Sequence, residues 1–299
     1  MDERKLIITA GDPGGIGPFV VVDALDKLKL DGDIILIGRL RDLDRHASFA
    51  RVKRTVELIE PYAADNDPGT IAFETLRKAV DIMRREKNAA LVTAPVSKEN
   101  IAKKYIEFSG HTEFLAEQFS SADAVMMMAS ERMRTVLLTR HVPLAEVSGL
   151  IEVNNIKAQI NAVISGLNRY FGIYKPKLAF CSVNPHAGVD TFLRDEERKL
   201  ISAISFFSDQ CEIFGPYPSD TLFARAQDFD VIFSCYHDQG MIPFKLTSFY
   251  DGVNVTLGLP FLRTSPAHGT AFDIADKPDR IDSGSMQAAI RMALTKIDK

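Results

Sequence analysis

Three of the six histidines stand just after apolar stretches that read as strands. Residues 135–138 lead to His141, 178–183 to His186, and 231–233 to His237. In a parallel sheet such positions gather at the carboxyl ends of the strands, where α/β proteins build ligand sites. Three neutral imidazoles with an open position suit Zn²⁺ or another borderline divalent ion and leave room for a substrate oxygen. The competing reading is three ordinary turn histidines, and spacing does not decide between the two, because the residues lie far apart in the chain. Asp238 could orient the His237 ring or merely cap a turn.

A second group of side chains suits an anion. Lys245, Asn254 and Arg263 fall in or beside strand ends and loops, and His111 and Thr112 could add donors. Arg and Lys with backbone donors bind phosphate or carboxylate well, although any one of them alone reads more simply as solvated charge. Together with a metal, they point to a small, anionic, oxygen-rich metabolite. The stretch from Gly11 to Pro18 follows a strand and precedes a helix, so its N–H groups could face an anion. It matches neither the dinucleotide fingerprint nor the P-loop spacing, and its glycines could simply permit a tight connection.

These residues need a frame to hold them. Apolar runs predict strands at 6–9, 34–37, 89–92 and 253–257, besides those before the three histidines, and 124–128 pairs with 135–138 as a hairpin. Helical periodicity marks 19–28, 70–87, 109–119, 154–171, 195–207 and a final helix from about 283, with Gly172 stopping the fourth. Residues 215–220 read as a rigid loop, and Pro243 is expected to block regular structure soon after His237. Strands alternating with helices imply an α/β protein with parallel pairing and right-handed crossovers.

Bulk composition narrows the function. The 299 residues suffice for two domains or one large one, and 46% hydrophobic with 25% charged residues is ordinary for a globular protein. A net charge of −4 without a long basic run excludes a general nucleic-acid footprint. No apolar run approaches the ~18 residues of a membrane span. Three cysteines without a Cys-x-x-Cys pair or a secretory signal point to a reducing cytoplasm.

Several motifs, in order, are recognisable together: the run Thr9 to Pro18, Thr93-Ala94-Pro95-Val96-Ser97-Lys98, Gly110-His111-Thr112-Glu113, Asn184-Pro185-His186-Ala187-Gly188, Tyr236-His237-Asp238-Gln239-Gly240 and Arg263-Thr264-Ser265-Pro266. With them the chain resembles, nearly end to end, the 4-hydroxythreonine-4-phosphate dehydrogenase family of vitamin B6 biosynthesis and its paralogues. The stretch from His268 to Ala275 is also similar to the cofactor loop of isocitrate and isopropylmalate dehydrogenases.

The resemblance implies an isocitrate/isopropylmalate dehydrogenase-like fold, two α/β/α domains around a central cleft. Residues 1–98 with 264–299 would form the outer domain, and 99–263 the inner one with the dimer interface. It also implies that His141, His186 and His237 bind a divalent metal (Zn, Mg or Co) in a site shared across a homodimer. His111, Thr112, Lys245, Asn254 and Arg263 would bind substrate. His268, Gly269 and Thr270 would bind NAD or NADP, and Lys245 would be a proton acceptor or a clamp. The implied reaction oxidises 4-phosphooxy-L-threonine to 2-amino-3-oxo-4-phosphooxybutanoate, which decarboxylates to 3-amino-2-oxopropyl phosphate. Alternatives are a paralogue acting on phosphothreonate-like or phosphoerythronate-like acids or a dihydrodiol, metal-dependent hydrolysis or lyase chemistry, and a non-catalytic metabolite-binding homologue.

The chain departs from the family pattern at Phe19, where Glu is usual, at Val189-Asp190-Thr191-Phe192, at Ala267, where Asp is usual, and at Asp276 and Pro278, where glycines are usual. The changes at Ala267, Asp276 and Pro278 cluster around the cofactor loop and leave NAD against NADP open.

Overall fold

The computed structural model describes residues 5–30, 32–188 and 194–296. Eleven strands run through them: β1 (Lys5–Thr9), β2 (Asp33–Ile37), β3 (Glu57–Ile59), β4 (Ala89–Thr93), β5 (Val125–Ala129), β6 (Arg134–Leu137), β7 (Lys177–Cys181), β8 (Glu212–Tyr217), β9 (Val231–Ser234), β10 (Val253–Leu257) and β11 (Arg263–Pro266). The chain divides into two compact units, one holding residues up to Ala122 and again from Tyr250, the other Asp123–Phe249.

The first unit orders its strands β3-β2-β1-β4-β11-β10, with β10 antiparallel to β11 and every other neighbour parallel. Its central strands are buried on both faces, so Leu6 to Ile8 and Ala90 to Val92 read as unbroken apolar runs. Helices Gly17–Leu28, Pro68–Met83 and Gly284–Lys296 provide the covering layers. The second of these begins on Asp67, whose carboxylate accepts the Thr70 N–H at 2.9 Å.

The second unit runs β5-β6-β9-β7-β8, with β5 and β6 the expected hairpin and the others parallel. The rings of Phe180 and Phe233 stack at 4.3 Å between β7 and β9 in its core. Helix Val153–Gly166 continues as a π-helical turn, Leu167–Phe171, and Gly172 closes it at φ 69°.

The α/β class is borne out, while several elements differ from expectation. β8, Glu212–Tyr217, takes in the first three residues of the stretch 215–220 expected as a rigid loop. Gly215 and Pro216 sit within this strand, which pairs with β7 alone, so Pro216 costs no second ladder. Strands β3 and β11 were too short to show a period. The helix expected over 70–87 ends at Met83, leaving Arg84, Arg85 and Lys87 beyond it. The largest difference follows His237: a helix, His237–Ser248, runs straight through Pro243. Pro243 removes one donor, to the Gln239 carbonyl, but burial of Gly240, Phe244 and Ser248 along one side holds the helix against its unit's strands. Contact also groups 99–122 and 250–263 with the chain ends rather than with the expected inner domain, because β11 completes the ladder beside β4.

Candidate functional site

The second unit brings the three histidine-bearing strand ends side by side, since β6, β9 and β7 are consecutive and parallel. Beyond β6 the ladder persists: Leu138 N–H donates to Ser234 O at 2.8 Å, and Thr139 Oγ1 donates to Cys235 O at 2.7 Å. This extension carries His141 to the His237 ring, 5.5 Å away between centroids. His237 is the first residue of its helix, and its Nδ1 lies 2.7 Å from Asp238 Oδ1. A Nδ1–H donated to that carboxylate leaves the Nε2 lone pair for a ligand. His186 follows β7 in a 3₁₀ turn with φ 56°, and Ala187 follows at φ 53°. Two successive left-handed residues that are not glycine are strained, a feature that concentrates at functional sites.

The donor set fits a divalent ion in part. His141 and His237 supply two imidazoles close together, but among the described residues no group of three or more His, Cys, Asp or Glu is gathered to hold a metal. Lys245 lies eight residues past His237, about 12 Å further along the same helix. It is half-buried, and desolvation lowers its pKa.

The anion-binding expectation finds a denser constellation in the first unit. Arg263 opens β11 and is 2% exposed. Its partners are hydroxyls: Nη2 donates to Thr93 Oγ1 at 2.6 Å, Nε to the same oxygen at 3.1 Å, and Nη1 to Thr256 Oγ1 at 3.0 Å. Among the described residues no carboxylate forms an ion pair with it. Burial lowers its pKa to about 10, while Glu113 acts from a distance in the opposite sense. Asn254 lies two residues before Thr256 on β10, hence on the same face, and its Oδ1 is buried without a hydrogen-bond partner. His111 begins helix His111–Gln118, where the N-cap is Gly110 and no side chain caps. Its Nε2 is likewise buried and unpartnered. Burial, reinforced by the positive charges of Arg263 and Lys98, pushes its pKa well below 6.5. Thr112 is buried beside it. A buried guanidinium held by neutral oxygens, with an unmet ring nitrogen and an unmet amide oxygen nearby, is a setting that suits an anion carrying a hydroxyl or ammonium donor of its own.

The glycine-rich turn has a different task. Four of its N–H groups are already used: Asp12 donates to Pro95 O, Gly14 to Asp12 Oδ1, Gly15 to Asp12 O, and Ile16 to Thr270 O at 2.9 Å. Asp12 is itself fully buried there, so the turn repels an anion. A Cβ on Gly15 would meet Thr270 O at 2.7 Å, which makes the turn a seat for the loop that carries His268, Gly269 and Thr270. Gly269 is exposed with open space around its Cα, and His268 Nδ1 lies 3.0 Å from Gly269 O. An open backbone and imidazole on a braced loop fit a dinucleotide contact.

A cavity of about 460 Å³ in the first unit is walled by Phe73, Tyr105, Phe108 and Phe114 with Glu113 and Glu117. Its carboxylates make it a poor phosphate site. Of the departures, Phe19 packs edge-on against the His46 ring at 4.4 Å, Ala267 N–H donates to Ser285 Oγ, and Pro278 opens a 3₁₀ turn. Val189 to Phe192 lies outside the described residues. Reading the sequence missed the roles of Thr93, Thr256 and Gln239. Thr93 and Gln239 stand in motifs that were noticed, but only strand pairing shows what they touch.

Comparison with known proteins follows this geometry. The model of the family described as pyridoxal phosphate biosynthetic protein PdxA matches residues 26–293. A 4-hydroxythreonine-4-phosphate dehydrogenase of Desulfosudis oleivorans is 38% identical, covering 98% of this chain and 96% of the relative. The D-threonate 4-phosphate dehydrogenase of Salmonella typhimurium is 33% identical, covering 98% and 99%. The crystal structure of 4-hydroxythreonine-4-phosphate dehydrogenase from Klebsiella pneumoniae superposes with a TM-score of 0.85 at 31% identity, covering 100% of this chain and 99% of that one. The chain belongs to the PdxA family and is an enzyme of that dehydrogenase class.

Proposed function

On the premise of that membership, we propose that the chain oxidises the secondary alcohol of 4-phosphooxy-L-threonine, using NAD or NADP and a divalent metal. The product, 2-amino-3-oxo-4-phosphooxybutanoate, is a β-keto acid and loses CO₂ to give 3-amino-2-oxopropyl phosphate. The observation that carries this reading is buried Arg263, held only by Thr93 and Thr256 hydroxyls beside the unmet atoms of His111 and Asn254. A doubly charged phosphate or a carboxylate accepts from Arg263 and from a His111 Nε2–H, and a hydroxyl or ammonium of the same substrate donates to Asn254 Oδ1.

Arg263, His111, Thr112 and Asn254 bind and orient the anionic substrate. His141, His186 and His237 hold the metal, and an all-imidazole set favours Zn or Co over Mg. When bound, such an ion supplies a Lewis acid that eases ionisation of the alcohol. The nicotinamide supplies the hydride acceptor, seated by His268, Gly269 and Thr270. Lys245, whose desolvated amine gives up its proton more readily than an exposed one, accepts the hydroxyl proton or clamps the acid. A homodimer is supported by exposed apolar side chains one turn apart on the His237 helix, Ile242 and Leu246, with Leu246 82% exposed. Three buried free cysteines, with Cys181 and Cys211 pushed up to about 11 by burial, accord with a cytoplasmic enzyme. No described helix is long and apolar enough to cross a membrane.

A second reading, oxidation of D-threonate 4-phosphate, is favoured by the Salmonella relative. A panel of both phosphorylated substrates, phosphoerythronate and a cis-dihydrodiol with each cofactor, followed by absorbance of the reduced nicotinamide, tests the proposal. Turnover of 4-phosphooxy-L-threonine at least tenfold above the others is expected. Reduction of neither cofactor by any phosphorylated acid would overturn it.

A further inference from the structure

The ends of β7 and β9, which lead to His186 and His237, are bridged by the Gln239 side chain. Gln239 Oε1 accepts the Cys235 N–H at 2.6 Å, and its Nε2 donates to Ser182 O at 2.8 Å and to Ser219 Oγ at 2.7 Å. The amide has one workable orientation, because the Cys235 backbone nitrogen only donates and the Ser182 carbonyl only accepts. Cys235 stands two residues before His237 and Ser182 four before His186, while Ser219 opens the short helix after β8. The next residue explains the reach. A Cβ on Gly240 would lie 2.7 Å from both Leu137 Cδ2 and Ser234 Oγ, so the first helical turn rests directly on β6 and β9. Gln239 is thereby directed across the strand ends.

We propose that Gln239 is a positioning residue of the metal centre, fixing the offset between the His186 and His237 strand ends. The proposal rests on the reading that these histidines hold a divalent ion. The strands themselves have other ties, the Phe180–Phe233 stack and the Cys235 Sγ–H donated to Cys181 O at 3.3 Å. Loss of the amide should therefore move the ligands without dissolving the sheet.

Gln239→Glu is close in shape and keeps an acceptor for Cys235, but it loses both donations and sets an oxygen against the Ser182 carbonyl. Full-length protein would be titrated with Co²⁺, read by its visible absorption band, and with Zn²⁺ by calorimetry. Wild type should bind and His237→Ala should not. Gln239→Glu should weaken Kd by about 10- to 100-fold and alter the Co²⁺ band, with the metal-free Tm within a few degrees of wild type. Wild-type affinity and band in Gln239→Glu would overturn the proposal. Equal binding by wild type and His237→Ala would instead overturn the metal reading. If Gln239→Glu does not fold, Ser219→Ala removes one of the three contacts. It should still weaken Kd by a few-fold, and an unchanged Kd there counts against the proposal.

Discussion

Arg263 is a buried guanidinium whose partners are the hydroxyls of Thr93 and Thr256. Burying a guanidinium without a carboxylate is unfavourable, so removing it should relieve the resting protein while damaging binding. Arg263→Met is expected to raise KM for phosphorylated substrate by about 10- to 100-fold, the worth of one charge-assisted contact. The Tm should stay level or rise, and a Tm that falls with KM unchanged would mark Arg263 as structural. His111 makes a pH prediction. Folded, its imidazole stays neutral well below pH 6.5; unfolded, it protonates near 6.5. Below that value the unfolded chain binds the extra proton, so stability is lost as pH falls through the window. Thermal melts between about pH 8 and about pH 5 should show the decline, and His111→Asn should flatten it. His46, whose pKa is also lowered by burial, keeps the remainder. At this scale the sequence offered the charges and imidazoles but not their neighbours. Nothing in Thr93 or Thr256 announces a guanidinium partner until β4, β11 and β10 are aligned.

Elements were legible where an unbroken apolar run or an apolar helix face has punctuated ends. β1 and β4 show the first, and the helix stopped by Gly172 the second. They were illegible where tertiary contact overrules local preference. Pro243 inside the His237 helix and Pro216 inside β8 both argue locally against the elements that contain them, and packing on neighbouring strands decides otherwise. The glycine-rich turn carried two readings, and only its spent N–H groups settle for a brace. One helix end gives a direct measure of local chemistry: Asp67→Ala removes the cap of helix Pro68–Met83 and should cost about 1 kcal/mol in denaturant unfolding, with kcat unchanged.

For the whole molecule, the exposed pair Ile242 and Leu246 predicts association of two copies through the His237 helix. Leu246→Glu should shift the protein from dimer to monomer in light scattering, and a dimer that survives would place the interface elsewhere. The division into two units was legible only in outline. Its boundaries depend on which late strand joins which early ladder, a long-range matter that periodicity cannot reveal. That arrangement also governs the order of folding on the ribosome. Asp123–Phe249 is continuous and can close as soon as it emerges, histidine-bearing strands included. β4 cannot, because the strand that covers its edge begins at Arg263, 170 residues after Thr93. Until synthesis reaches about the last eighth of the chain, a buried-type apolar strand waits with one edge bare, and a nascent chain in that state is a natural client for a chaperone.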